Sequence, residues 1–444
     1  MSTKNRLFHL HAPVLCPLLM LAMAAAFVPR AAAAPLEAGV GSRSIAPDTT
    51  KYHVPLGGYG ERQNAPATGI HDYTMAKALI LKQGDKKFAL VTLDLLGIAR
   101  SLRDEVVKRI DGTGITSDNL MMAASHSHAS VEMNALNSKN VFKNKAIGIY
   151  DPKLLDWVSQ QIADAIKDAN KNFVPIKVGT GSTMVKGMNR NRRGGTITDN
   201  QLTLTRIDTM DGKPFVVFIN FTAHPTYMNA KVMQISAAWP GYLQREVEGF
   251  LDHGVMCMYA NGAEGDQSPA GGHGPSPFAK AEDEGRKLAV KALDLYKTVK
   301  TSPDVDFEYS MTTLKLPPRT APPALLDSAG EEYGLNPDNI MKVIDAMSPK
   351  TSYLGVLKLG GLVGVAIPGE MAAGLGLQIK DTLRKAGAKH PIIVGLGNEW
   401  ISYILQPKEY HKGGYEAGVS FYGDQLGPVI VKQAIAAGEA ILKK

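Results

Sequence analysis

Five apolar runs in this chain each break off into a short stretch of reactive polar residues. The run at 119–124 leads into Ser125-His126-Ser127-His128, and the run at 214–221 leads into Ala223-His224-Pro225-Thr226. The run at 255–260 leads into Asn261-Gly262 and then Gly265-Asp266-Gln267-Ser268-Pro269. The run at 362–367 leads into Pro368-Gly369-Glu370, and the run at 392–396 into Asn398 and then Tyr403. Short apolar runs like these, and KFALVTLDLL at 87–96, read as buried strands. Segments 101–110, 154–169, 370–386 and 429–442 carry helical spacing between them. This alternation predicts an α/β fold, with mixed β-sheets flanked by helices in one large domain. Ligands of open α/β sheets bind beyond the carboxyl ends of the strands. Five strand ends thus converge on one candidate site.

The residue types at those ends suggest metal chemistry. In an extended segment residues i and i+2 share a face, so His126 and His128 both reach one ion, or one binds it while the other handles protons. A pair of hydrogen-bonded histidines at a strand end is the plainer reading. His224, stiffened by Pro225, reads locally as a satisfied histidine. Glu370, after Ile367-Pro368-Gly369, is expected at the start of a helix, where it aims one carboxylate into the crevice or merely complements the helix dipole. Taken together, two or three histidines and one carboxylate suit catalytic zinc, which takes N and O ligands and keeps a position open for water. No Cys-rich pattern, GxSxG elbow or Walker loop competes. Ser268 is the alternative nucleophile, against the reading of a polar turn at a strand end.

The N-terminus reads as a targeting segment. Lys4 and Arg6 precede an apolar stretch, Val14 to Val28, and Ala31 to Ala34 supply an A-x-A pattern. Cleavage after Ala33 is expected, leaving a secreted or periplasmic domain over 34–444. The stretch is shorter than the roughly 18–20 residues of a spanning helix. Without residues 1–33, 46 basic residues face 42 acidic ones, a charge of +4. That is mild, and no basic run is interleaved with aromatics, so nucleic acid is not an expected partner. The excess is compatible with peripheral contact to an anionic membrane surface, and no protein partner is evident. Only Cys257 remains after cleavage, set in an apolar run, so no intramolecular disulfide is expected. The Pro-rich 316–323 and the helical 339–347 are read as an insertion or lid over 316–347, or as a surface excursion.

Motifs in order along the chain resemble the neutral/alkaline non-lysosomal ceramidases. They include Ala38-Gly39-Val40-Gly41, Ile45-Ala46-Pro47, Gly57-Gly58-Tyr59, Gly69-Ile70-His71 and Ser125-His126-Ser127-His128. Asn189 to Arg193, Asn220 to Asn229, Gly265 to Pro269, Ile367 to Glu370, Gly397-Asn398, Tyr403, Glu409-Tyr410 and Tyr415-Glu416 continue the series. The resemblance implies one zinc per chain on His126, His224, Glu370 and Tyr403. It implies His128 beside the metal and the scissile amide, Arg192 at the site, Tyr415 on the substrate carbonyl, and, in an older proposal for the family, Ser268 as nucleophile. The implied activity is hydrolysis of the N-acyl amide of ceramide or a related N-acyl lipid by zinc-activated water. Other readings are an exported zinc hydrolase of a smaller amide or ester, or a secreted binding protein of the same fold. The sequence leaves open a second, structural Ca2+ or Mg2+ near Asp94 or Asp266. The C-terminal immunoglobulin-like domain that the resemblance implies for full-length members is expected to be absent here. Ser236 to Tyr242 and Gly414-Tyr415-Glu416-Ala417 depart from the family pattern on the substrate side.

Overall fold

The computed structural model describes residues 1–4, 7, 9, 34–252 and 254–444, and the chain divides into units 1–33 and 34–444. The expected signal segment thus lies, those few residues apart, outside the described ones. Among the described residues no helix is long and apolar enough to cross a membrane.

Eight strands form one mixed sheet. They are β1 (Glu37–Ser44), β2 (Met75–Gln83), β3 (Lys86–Leu93), β4 (Leu120–Ala124), β5 (Val174–Met184), β6 (Gln201–Thr209), β7 (Pro214–Phe221) and β8 (Met256–Asn261). Their order is β8-β7-β6-β5-β1-β2-β3-β4. The outermost pairs, β8 with β7 and β3 with β4, are parallel, and the pairs between them are antiparallel. A second sheet holds β9 (Phe307–Lys315), β10 (Thr351–Leu359), β11 (Leu362–Ala366) and β12 (His390–Val394) in that order, with β11 and β12 parallel.

Parallel neighbours need a crossover. Helix α1 (Arg100–Arg109) joins β3 to β4; α2 (Pro152–Ala169) leads toward β5; α3 (Ala238–Leu251) joins β7 to β8; and α4 (Pro277–Thr298) follows β8. Helix α5 (Ile340–Met347) lies within the Pro-rich passage, α6 (Ala373–Lys385) joins β11 to β12, and α7 (Leu426–Leu442) ends the chain. Local chemistry sets the helix starts. Asp151 accepts from the Lys153 and Leu154 amides ahead of Pro152, and Ser276 accepts from the Ala279 amide ahead of Pro277.

Strands in the large sheet are covered on both faces, which is why several read as unbroken apolar runs. In β2, Ala78 and Ile80 pack with Leu102 of α1 and Ile162 of α2. Leu79 and Leu81 face the other way, into a core shared with Leu357 and Ile392 of the second sheet. The large sheet curls, so that its two edge strands approach: the Asn261 side-chain Nδ2–H at the end of β8 donates to the Ser125 carbonyl just past β4, at 3.3 Å. Curling brings the carboxyl ends of β4, β7, β8, β11 and β12 to one place.

Two local expectations change. The H-x-H pair is not extended: β4 stops at Ala124, and His126 has a left-handed backbone, φ +71°. Its amide is held by the Leu95 carbonyl at 2.9 Å, so a turn and not the pleat aims both imidazoles. Glu370 is not in a helix N-terminus. Glu370–Met371 form a two-residue strand paired in parallel with Tyr403–Ile404, and α6 starts at Ala373. The Glu370 amide donates to the Ser402 carbonyl at 3.1 Å, which captures it for the strand pair.

Candidate metal centre and apolar pocket

His126 and His224 are fixed by the same device. The His126 Nδ1–H donates to the Leu96 carbonyl at 2.6 Å. The His224 Nδ1–H is shared between the Glu264 and Gln267 carbonyls at 2.7 and 3.1 Å. A carbonyl only accepts, so Nδ1 carries the proton and each Nε2 presents a lone pair. These Nε2 atoms lie 3.3 Å and 3.0 Å from Glu370 Oε2. The Tyr403 hydroxyl is 3.4 Å from His224 Nε2, and His128 Nε2 is 3.2 Å from His126 Nε2. The three histidines offer ligand atoms that all lie within 4.8 Å of one another.

Electrostatics favours a cation here. Burial, with the Arg192 charge, lowers the His224 pKa to about 4, and burial beside the other two histidines puts His128 well below its usual range. Burial opposes ionisation of Glu370, but positive charge at the His126 and His224 positions outweighs that and holds the carboxyl well below the usual range. Lone pairs of neutral imidazoles facing a carboxylate repel one another unless a cation stands between them. The donor set of N and O atoms therefore fits zinc.

Each member has support behind it. The Trp400 Nε1–H donates to Glu370 Oε1 at 2.8 Å. Arg192 donates to the Tyr403 hydroxyl at 2.9 Å and pairs with Glu416 at 2.7 Å. Burial and the Glu370 charge push the Tyr403 phenol well up, while Arg192 works the other way. Among the described residues His128 Nδ1 is buried with no hydrogen-bond partner, so that edge of the ring is held by packing. Tyr59 lies 5.1 Å from it, and a Cβ at Gly58, where φ is +87°, would come within 2.2 Å of His128 Nδ1. Glycine is required there on both counts. Tyr415 stands edge-on to Tyr403, ring centres 5.9 Å apart, and its hydroxyl is 3.2 Å from that of Tyr333.

The structure thus brings His126, His128, His224, Glu370, Tyr403, Tyr415 and Arg192 together. Ser268 sits in the short strand Gln267–Pro269, opposite Arg190. Among the described residues no hydrogen bond joins its hydroxyl to a histidine or carboxylate, and it lies outside the pocket lining. Trp400 and Tyr333 escaped the sequence reading. Trp400 follows the polar stretch after β12, so the strand-end rule already pointed at its neighbourhood.

A pocket opens from the His126–Glu370–Tyr403 cluster and is mostly apolar. Leu96, Met133, Ile147, Val419 and Phe421 form one part of its wall. Leu325, Leu335, Val343, Ile344 and Met347, all from the 316–347 segment, form another.

A sequence model of the neutral/alkaline non-lysosomal ceramidase N-terminal domain matches residues 37–276. The neutral ceramidase of Pseudomonas aeruginosa is 22% identical over 490 aligned positions, which cover 92% of this chain and 72% of that protein. The crystal structure of neutral ceramidase from Pseudomonas aeruginosa superposes with a TM-score of 0.78 at 19% identity, over 92% of this chain and 75% of that one. A ceramidase structure described as complexed with C2 gives a TM-score of 0.76 at 18% identity, over 92% and 76%. At these identities the structural likeness is one of fold.

Proposed function

This chain belongs to the neutral/alkaline non-lysosomal ceramidase family, hydrolases that act on amide bonds, and from that premise we propose that it is a zinc-dependent amidohydrolase of ceramide or a related N-acyl lipid. The observation that carries the reading is the convergence of two histidine lone pairs, a carboxylate and a phenol at one end of an apolar pocket.

His126, His224, Glu370 and Tyr403 are the residues that would hold the metal. Zinc in such a site supplies Lewis acidity toward the carbonyl and a water-derived nucleophile at neutral pH. The Leu96 and Glu264 carbonyls fix the two imidazole tautomers, and Trp400 fixes the Glu370 carboxylate. Arg192 steadies the Tyr403 oxygen and compensates its charge when the phenol gives up its proton. Tyr415 donates its hydroxyl proton to the amide oxygen as negative charge develops there, a contribution of roughly 3–4 kcal/mol. His128, neutral and buried, accepts a proton and delivers it to the leaving amine, worth about 10²–10⁴-fold. The apolar walls take hydrocarbon, which favours a lipid over a small polar amide.

The protein is expected to act outside the cytoplasm after loss of residues 1–33. The test uses protein collected outside the producing cell, whose first residue should read Ala34. Fatty-acid release from short- and long-chain ceramide is followed as purified, after chelation, and after zinc is returned, with His126→Ala alongside. Zinc-restorable release, absent from the variant, is the expected result. Bound zinc without release from either ceramide would sink the lipid-amidase reading.

A further inference from the structure

The segment that walls the pocket also touches Tyr415 and the stretch packed over His128, the two groups assigned to protons above. Tyr333 lies in a single helical turn, Glu331–Tyr333, closed by Gly334 at φ +59°. Its hydroxyl meets that of Tyr415 at 3.2 Å. Its carbonyl accepts from the Asn144 side-chain amide at 2.8 Å, which ties the turn to the far rim of the pocket. The preceding residue, Glu332, accepts the Gly60 backbone N–H at 2.8 Å. A Cβ at Gly60 would lie 2.8 Å from Glu332 Cγ, so the approach depends on glycine.

Gly60 ends the Gly58-Tyr59-Gly60 stretch that packs over His128, a ring with no hydrogen bond to its Nδ1. Packing of that stretch restrains the Nδ1 side of the His128 ring, beside the 3.2 Å contact of its Nε2 with His126. Tyr415 has the converse need. For its proton to reach a substrate oxygen it must not be spent on Tyr333, so in this hydroxyl pair Tyr333 has to be the donor and Tyr415 the acceptor. A donor to the Tyr415 oxygen also makes the Tyr415 O–H a better donor in turn.

We propose that Glu332 and Tyr333 are positioning residues of the amidase: Tyr333 donates to Tyr415 and turns the Tyr415 proton toward the substrate carbonyl, and Glu332 clamps Gly58–Gly60 against His128. The inference rests on the function proposed above. It couples closure of the 316–347 segment over the lipid to assembly of the groups that do the chemistry, so an open segment leaves both of them loose.

Tyr333→Phe and Glu332→Met, which keeps the side-chain length but removes the acceptor for the Gly60 N–H, test it, with a C2 and a long-chain ceramide as substrates. Each variant should lose roughly 10- to 100-fold in kcat on both substrates, the size expected when a catalytic group is misaimed but still present. KM should stay within about two-fold, because the apolar wall is untouched. Zinc content and thermal midpoint, measured alongside, should match the parent. In Tyr333→Phe, Tyr415→Phe should then add only the remaining loss, about 10-fold, well short of what it costs in the parent, since both substitutions act on one proton path. A parent that cleaves ceramide while Tyr333→Phe keeps its kcat overturns this inference and leaves the amidase standing. So does a loss that appears in KM for the long chain alone, which would make Tyr333 only a wall. A parent that cleaves neither ceramide overturns the amidase reading and this inference with it.

Discussion

Tyr415→Phe removes one hydroxyl and leaves a ring of nearly the same shape packed edge-on to Tyr403. If that hydroxyl serves the developing oxyanion, kcat on long-chain ceramide falls about 10²–10³-fold while KM and zinc content hold, which steady-state kinetics and metal analysis read. A second residue makes a pH prediction away from the metal. Glu284 on α4 is fully buried, accepts from the Tyr227 hydroxyl at 2.9 Å, and is pushed from 4.5 to about 7, chiefly by burial. The folded state therefore holds a proton that the unfolded chain has released between pH 4.5 and 7. Stability falls as pH rises through that window and is level above it. Glu284→Gln removes the slope: it should gain about 1–3 kcal/mol over the parent at pH 8 and nothing at pH 4.5, read from urea midpoints. At this scale the sequence was partly legible. His126, His128, His224, Glu370 and Tyr403 stood out because each follows an apolar run. Arg192 and Tyr415 entered only through family resemblance. Tyr333 was illegible, because what matters about it is the tertiary approach of two hydroxyls.

Elements were legible where both faces are buried and obscure where one is not. Strands β3, β4, β7, β8, β11 and β12 announce themselves as apolar runs. β1, with the sequence EAGVGSRS, does not. Its glycines would be out of place in an ordinary strand, but helix α2 lies almost on top of it: a Cβ at Gly39 would sit 2.0 Å from the Ala169 carbonyl, and one at Gly41 2.2 Å from that of Ala165. β5 is half-exposed and equally polar in sequence. The 316–347 segment was visible as a break in rhythm, and its part in the pocket wall was not, since that needs the fold. Helix α5 makes a prediction of its own. Ile344 is buried in the segment's small core and lines the pocket, so Ile344→Ser should raise KM for long-chain ceramide roughly 10-fold and leave a C2 substrate nearly unchanged. Equal losses on both substrates would mean that α5 supports the site in general instead of reading chain length.

On the scale of the molecule, the question is what keeps two sheets in register around one point. A buried ion pair joins them. Lys380 on α6 meets both oxygens of Asp199, just before β6, at 2.8 and 2.7 Å, and each side chain is 2% exposed. Asp199 also accepts from Thr222 at 3.3 Å, two residues before His224. Lys380→Met leaves a buried carboxylate without its counter-charge and should cost about 3–5 kcal/mol, read as a drop in the urea midpoint at unchanged m. The side chains that face one another at the centre come from positions 126 and 224, just past strands of the large sheet, and 370 and 403, a strand pair just past β11 and β12. No contiguous fragment short of that span contains them all. A chain still emerging from the ribosome lacks the centre until Tyr403 has been made, and a chain threaded unfolded across a membrane carries four scattered side chains and no centre. The hydrolytic apparatus comes into being only with the finished tertiary structure, and under the export and lipid substrate proposed above that timing would shield the membranes of the cell that makes it.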